Sequence, residues 1–145
     1  MDRMLDRRCT GPLFLRMPEV AQMVMDAIDF RDQRIYRLHA FVVMPNHVHL
    51  LVTPLEAVSK MMQSLKRFTG REGNRMLGLT GHPFWQDESY DRLVRNDTEF
   101  ERIIGYIERN PVSAGLAPTP EEFPWSSARP IANRPQVSNL PHKDA

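Results

Sequence analysis

Cysteine is almost absent from this chain. Cys9 is the single cysteine in 145 residues, so no disulfide can form within the chain, and a lone thiol fits a reducing compartment. No apolar run has the length that spans a membrane, and the first residues lack the apolar stretch of a signal peptide. The net charge is only +1, so any affinity for nucleic acid must depend on where the Arg and Lys residues lie. We therefore expect a cytoplasmic protein of one domain, with no membrane segment.

Two histidines near the middle of the chain are the first candidates for chemistry. Residues 44–53 read MPNHVHLLVT, a Pro-Asn turn followed by an apolar run. Because side chains alternate between the faces of a strand, His47 and His49 are expected on one face, with Val48 and Leu50 on the buried face. Neutral imidazole is a common metal ligand, and two at adjacent same-face positions can reach one cation. Taken alone, such a pair is more often two polar residues on the exposed face of a half-buried strand than a metal site.

The flanking segments predict alternating helices and strands. Apolar residues recur with helical spacing after Pro18 and again over residues 58–76, which predicts two amphipathic helices. Residues 34–44 favour a strand, and the two-residue link to the histidine strand predicts an antiparallel pair. Residues 84–94 are interpreted as a further strand, and residues 1–11 as a frayed basic terminus. This order predicts an α+β sandwich in which helices cover one face of an antiparallel sheet.

A third helix is predicted after residue 96. Asp97 or Thr98 is expected to cap its start, and Pro111 is expected to end it. Tyr106 and Asn110 are four residues apart in this helix, so they should be neighbours at the edge of its apolar stripe.

Six of the twelve prolines occur from Pro118 onward. We expect one domain over residues 1–128, with Trp125 packed back on it, and a flexible Pro-rich tail over residues 129–145.

One face of the second predicted helix is basic. Its cations lie at i, i+7, i+11 and i+15, at Lys60, Arg67, Arg71 and Arg75. Such a stripe can follow a phosphate backbone, although solvated Lys and Arg faces are also common.

Several motifs occur in a fixed order along the chain: MPNHVH at residues 44–49, FWQ at 84–86, YDR at 90–92, YI followed by NPV at 106–112, and PWSS at 124–127. In this combination the chain resembles the single-tyrosine HUH transposases, specifically the REP-associated tyrosine transposases. The resemblance extends from about Gly11 to Ala128, and it favours the metal-site interpretation of the histidines.

The resemblance implies a ferredoxin-like αβ sandwich with the histidines on a strand. It also implies a metal-dependent nuclease and strand transferase that acts on single-stranded or hairpin DNA, with Mg²⁺ or Mn²⁺ as cofactor. By motif, His47 and His49 would be metal ligands, Asn110 a third, amide ligand, and Tyr106 the nucleophile that forms a 5′-phosphotyrosine. A tyrosine hydroxyl is a poor nucleophile at neutral pH, and a divalent ion at the phosphate favours the developing charge.

The expected partner is DNA, bound by a monomer or homodimer associated with the nucleoid. The residues expected to contact DNA come from the basic stripe with the neighbouring Lys66, from the Trp-Gln segment and from the YDR motif: Lys60, Lys66, Arg67, Arg71, Arg75, Trp85, Gln86, Tyr90 and Arg92.

Two features depart from the family's pattern. A full strand usually precedes the region that matches Gly11, and only ten residues precede it here, so we expect that central strand to be missing and the sheet to be less stable. Asp87 stands where a basic residue is common. Two alternatives therefore stay open: a decayed relative that binds hairpin DNA without cutting it, and an unrelated His-x-His metalloenzyme, which the apolar residues after His49 disfavour.

Overall fold

The computed structural model describes residues 2–10 and 13–129, and it describes their side chains except those of residues 87–90. In chain order, the strands and helices of this part are β1 Arg3–Cys9, α1 Pro18–Arg31, β2 Tyr36–Val43, β3 His47–Pro54, α2 Val58–Leu77, β4 Trp85–Leu93 and α3 Asp97–Ser113. The four strands form one antiparallel sheet in the order β2-β3-β1-β4. The predicted α+β class and antiparallel sheet are confirmed.

The N-terminal strand is present, contrary to our expectation that it is missing. β1 lies in the middle of the sheet and pairs with β3 on one side and β4 on the other. Its successive residues Met4 and Leu5 are buried on opposite faces. The sequence pattern concealed this strand because most of its residues are charged, and Asp6 and Arg8 lie on the face that carries the histidines. Because β1 is present, the predicted loss of stability from exposed core and sheet edges no longer follows.

Helices cover both faces of the sheet, whereas the sequence predicted helices on one face. α1 and α2 pack against the face formed by Leu5, Val48 and Leu50. α3 packs against the other face, where Ile103 and Ile107 contact the strands around Leu51. Helices cover both faces because β2 and β3 carry apolar residues on both of their faces, and each of these faces must be buried.

Both ends of α3 differ from the sequence prediction. The N-cap is Asn96, whose Oδ1 accepts a hydrogen bond from the backbone N–H of Glu99 at 2.9 Å, so neither Asp97 nor Thr98 is the cap. The helix also continues through Pro111 to Ser113. Proline removes one helical N–H, but the turn beyond it still closes because Ala114 N–H donates to the carbonyl of Asn110 at 3.0 Å.

The segment after α3 returns to the sheet. The carbonyl of Trp125 accepts a hydrogen bond from Val43 N–H at 2.8 Å, and its ring packs on both cores, which confirms the prediction for this residue. The predicted tail at residues 129–145 lies almost wholly outside the described residues. Among those described, no helix is long and apolar enough to cross a membrane.

Candidate active site

The two histidines of β3 lie side by side on the face covered by α3. Their ring centroids are 4.6 Å apart, and His49 is buried whereas His47 is half-buried. Nδ1 of His47 lies 2.7 Å from Oδ1 of Asn46 in the preceding turn. Burial lowers the pKa of His47 to about 4, with the neighbouring His49 and Arg8 acting in the same direction and Asp6 opposing them. His47 is therefore neutral at physiological pH, the state in which imidazole binds a metal.

His49 is oriented by a carboxylate from the neighbouring strand. Asp6 of β1 is paired directly with His49, and its Oδ1 contacts Nδ1 of the imidazole. In the neutral tautomer that donates from Nδ1 to this carboxylate, the lone pair lies on Nε2. Nε2 of His49 is buried and has no hydrogen-bond partner among the described residues. A buried acceptor without a partner costs free energy, and a metal ion would satisfy it.

Tyr106 extends from α3 toward this pair. Its ring centroid lies 5.7 Å from that of His49, yet half of the residue is exposed, with a relative accessibility of 50%. Tyr36 is fully buried, and its hydroxyl donates to the carbonyl of Ile28 at 2.5 Å. Burial raises the pKa of Tyr36 far above its ordinary value. The side chain of Tyr90 lies outside the described residues. Of the tyrosine side chains that are described, only Tyr106 is accessible to a substrate.

Asn110 lies one helical turn beyond Tyr106 and is half-buried. The two residues line one surface depression, together with Arg109, Ser113 and Ala114. Among the contacts of the described residues, none joins Asn110 to His47 or His49, and no group of three or more His, Cys, Asp or Glu side chains is placed to hold a metal. The structure therefore brings the two histidines and Tyr106 together, and the role of Asn110 as a ligand stays a prediction.

A second depression lies on the other side of Tyr106. Met4, Arg92, Arg102 and Ile103 line it with the tyrosine. Arg92 is partly neutralised here, because its Nη1 lies 3.3 Å from the carboxylate of Glu99.

The basic stripe of α2 and the neighbouring Lys66 are exposed, but these cations differ in their surroundings. The side chains of Lys66, Arg67 and Arg71 line a groove with the loop that precedes β4, whereas Lys60 does not line it. Arg75 pairs with Glu72 at 2.8 Å. The groove lies in the α2 layer, on the opposite face of the sheet from Tyr106.

Despite this separation, the groove and the histidines occupy the same end of the sheet. Trp85, at the start of β4, is paired with Cys9, and His47, at the start of β3, is paired with Arg8. The groove and the histidines are thus separated only by this end of the sheet.

Trp85 is a core residue that also lines the α2 groove, so its contact with DNA stays a prediction. Its relative accessibility is 5%, and its indole Nε1–H donates to Oγ1 of buried Thr69 at 2.9 Å. The apolar ring gains more from burial against α2 than from exposure at the surface. Gln86, the next residue, is exposed and remains a candidate for DNA contact.

Sequence reasoning missed Asp6 and Arg109. Asp6 belongs to the segment that was interpreted as a frayed terminus, and its single signal was an acidic residue among arginines. Arg109 lies between Tyr106 and Asn110, and the sequence motif assigned roles only to those two residues.

The fold and site define an α+β protein that sets an exposed tyrosine against a pair of strand histidines. The IS200-like transposase family matches residues 18–110, more than half of the chain, and the chain belongs to this family. The resemblance read from the sequence motifs is thereby confirmed.

A curated relative is the REP-associated tyrosine transposase of Escherichia coli (strain K12), which is 27% identical over 111 residues. The matched region covers 73% of this chain and 63% of the relative, so the chain spans less than two thirds of that protein's length.

Two solved structures share the fold. One is a REP-associated tyrosine transposase bound to a REP hairpin, with a TM-score of 0.70 and 21% identity, covering 96% of this chain and 88% of the other. The second is a Deinococcus radiodurans protein described as a transposase, with a TM-score of 0.54 and 25% identity, covering 75% and 89% of the two chains.

Proposed function

We propose that this chain cleaves and rejoins single-stranded DNA beside a hairpin, with Tyr106 as the nucleophile. The observation that carries the proposal is the accessible Tyr106 ring, 5.7 Å from the ring of His49. Membership of a transposase family supports DNA as the substrate. Support also comes from α3, because its buried stripe anchors the tyrosine on a rigid element, as a nucleophile requires.

In the proposed reaction, Oη of Tyr106 attacks the phosphorus of a phosphodiester. An O–P bond forms while the P–O3′ bond breaks, which leaves a 5′-phosphotyrosine and a free 3′-hydroxyl. The tyrosine proton passes to solvent, and the departing 3′-oxygen takes up a proton. Attack by a 3′-hydroxyl on the phosphotyrosine reverses these bond changes and rejoins the strand. The covalent linkage conserves the energy of the broken bond for this second step.

The residues present fit a divalent cation, Mg²⁺ or Mn²⁺. Nε2 of His47 and of His49 would hold it, with the amide oxygen of Asn110 as a further ligand. The unpartnered, buried Nε2 of His49 and the carboxylate behind its Nδ1 support this assignment. When bound, such an ion polarises phosphate oxygens and favours the charge that develops during attack.

The partner proposed for the α2 groove is the stem of a DNA hairpin. The solved relative is described as bound to a REP hairpin. In this chain Lys66, Arg67 and Arg71 would contact stem phosphates, and the adjoining single strand would pass the end of the sheet at Arg8 to reach Tyr106.

The experiment uses a REP hairpin oligonucleotide with single-stranded arms, incubated with the protein and Mn²⁺. A label at the 3′ end should become attached to the protein in a denaturing gel, because a 5′-phosphotyrosine retains the 3′ fragment. A label at the 5′ end should appear in a shortened free strand. Tyr106→Phe should abolish both signals, whereas Tyr90→Phe, at a residue expected to contact DNA without attacking it, should keep the covalent linkage.

The same experiment addresses the alternative of a relative that binds DNA without cutting it. The missing strand favoured that alternative, and β1 removes this support, but the cations of α2 that would bind DNA without cutting it remain. A wild-type protein that binds the hairpin and never becomes labelled would favour the binding-only function.

A further inference from the structure

Arg109 lies in an unusual position beside the candidate nucleophile. Its guanidinium folds back along α3 onto the backbone of Gly105, the residue before Tyr106. A methyl group at position 105 would lie 2.7 Å from Nη1 of Arg109 and 3.1 Å from Nη2, so the absence of a side chain there makes room for the guanidinium. Arg109 and Tyr106 also line the same depression with Asn110.

The electrostatic setting of Arg109 differs from that of the other arginines near the site. Arg92 and Arg102 approach the carboxylate of Glu99 at 3.3 and 4.0 Å. Within the described part of the chain, no carboxylate pairs with Arg109, and its side chain is exposed. A guanidinium without an acidic partner keeps its donors available for an anion, and its planar fork matches two oxygens of a phosphate.

We infer that Arg109 binds the phosphodiester that Tyr106 attacks and that Gly105 is required to hold the guanidinium there. This inference rests on the proposed function and adds a substrate-contacting residue to it. Two of the phosphate oxygens accept hydrogen bonds from Arg109. As Oη of Tyr106 attacks, negative charge grows on those oxygens, and a fixed positive group stabilises it more than it stabilises the ground state.

Gly105→Ala is the critical variant, because it should keep or raise the stability of the protein while it weakens DNA binding. Alanine is more stable than glycine in the interior of a helix. The added methyl group would contact the guanidinium of Arg109, which is the end of a flexible side chain and can move away. The thermal midpoint of Gly105→Ala should therefore be unchanged or higher, while the guanidinium is displaced from Tyr106. Arg109→Gln and Arg109→Lys complete the series. Arg16→Gln, an exposed arginine before α1, is the matched control.

The first readout is equilibrium binding in a Tyr106→Phe background, so that no cleavage interferes. Two probes are compared: a REP hairpin with a single-stranded arm and the same hairpin without the arm. Arg109→Gln should weaken binding of the armed probe about tenfold or more, as expected for a lost charge-assisted hydrogen bond. Its salt dependence, as the slope of log K against log salt concentration, should fall by about 0.7 for one phosphate contact on a single strand. Binding of the armless hairpin should be unchanged.

The second readout is the rate of covalent adduct formation with the natural Tyr106 present. Arg109→Gln and Gly105→Ala should both lower the rate of adduct formation. The rate for Arg109→Lys should lie between theirs and that of wild type. Arg16→Gln should form the adduct at the wild-type rate. The inference is overturned if Arg109→Gln weakens both probes equally, or neither, or if Gly105→Ala retains wild-type affinity for the armed probe. A wild-type protein without any adduct would contradict the proposed function alone, because the arm-specific loss of binding is measured independently of cleavage.

Discussion

The carboxylate of Asp6 contacts Nδ1 of His49 across the β1–β3 pair, and the opposite nitrogen of that ring is buried without a partner. This relationship joins the N-terminal strand to the proposed chemistry. Without Asp6, nothing on β1 would fix which ring nitrogen carries the proton.

Removing Asp6 should therefore weaken metal binding while the two proposed histidine ligands remain. We expect Asp6→Ala to raise the Kd for Mn²⁺ by about 10- to 100-fold, as is usual when the carboxylate behind a ligating histidine is lost. Isothermal titration calorimetry measures this, with Asp97→Ala, at an exposed position at the start of α3, as control. Equal affinities in wild type and Asp6→Ala would contradict the role of Asp6, and equal affinities in wild type and a His47→Ala/His49→Ala variant would remove the site altogether.

β1 should contribute to stability as a central strand does. Leu5 is 2% exposed in the core beneath α1 and α2, so Leu5→Ala should lower the free energy of unfolding by about 2–5 kcal/mol. Urea denaturation measures the change. Arg8→Ala, an exposed position on the same strand, should change the stability by no more than about 0.5 kcal/mol. If Leu5→Ala behaves like Arg8→Ala, β1 is not part of the folded sheet.

The assignment of Trp85 to the core predicts a stability effect at its hydrogen-bond partner. Thr69→Val keeps the shape of the side chain but leaves the buried indole N–H without an acceptor. This should cost about 1–3 kcal/mol, measured by urea denaturation followed through tryptophan fluorescence. Thr80→Val, at an exposed position, is the control. A neutral effect of Thr69→Val would indicate that the indole is free to contact DNA, as the sequence had suggested.

Cys9 should be chemically inert in the folded protein. Burial raises the pKa of its thiol to about 12, because the thiolate is poorly solvated there. Reaction with a disulfide reagent should therefore be slow at pH 7, and its rate should still be rising at pH 9 without reaching a plateau, whereas the urea-unfolded chain should react rapidly and level off above its ordinary pKa of about 8.5. Rapid reaction of the folded protein that levels off near pH 9, as for an exposed thiol, would show that the β1 end is open.

The sequence predicts the parts of this fold in which one physical signal dominates. The alternation around His47 and His49 correctly placed both rings on one face, and the helical spacing after Pro18 located α1. The charged β1 was missed because its burial comes from neighbouring strands, which a local pattern does not contain. The continuation of α3 through Pro111 was missed for a related reason, since packing against the sheet maintains the helix despite the lost N–H.

In the candidate site too, some residues are predictable from the sequence and others only from the folded structure. Motifs identified the histidines and Tyr106, and the structure sets the His49 and Tyr106 rings side by side. The partner of a histidine, such as Asp6, depends on strand register. The position of Arg109 depends on a glycine one turn away, and neither relationship can be read from spacing alone.

The most direct test of the account is to identify the residue that becomes linked to DNA. Trypsin places the three tyrosines in separate peptides, at residues 35–37, 76–92 and 103–109. The covalent adduct formed with an armed REP hairpin in Mn²⁺ would be digested with trypsin and nuclease and analysed by tandem mass spectrometry. We expect a nucleotide attached through phosphate to Tyr106 in peptide 103–109. A nucleotide attached to Tyr36 or Tyr90, or an adduct of unchanged yield in Tyr106→Phe, would contradict it.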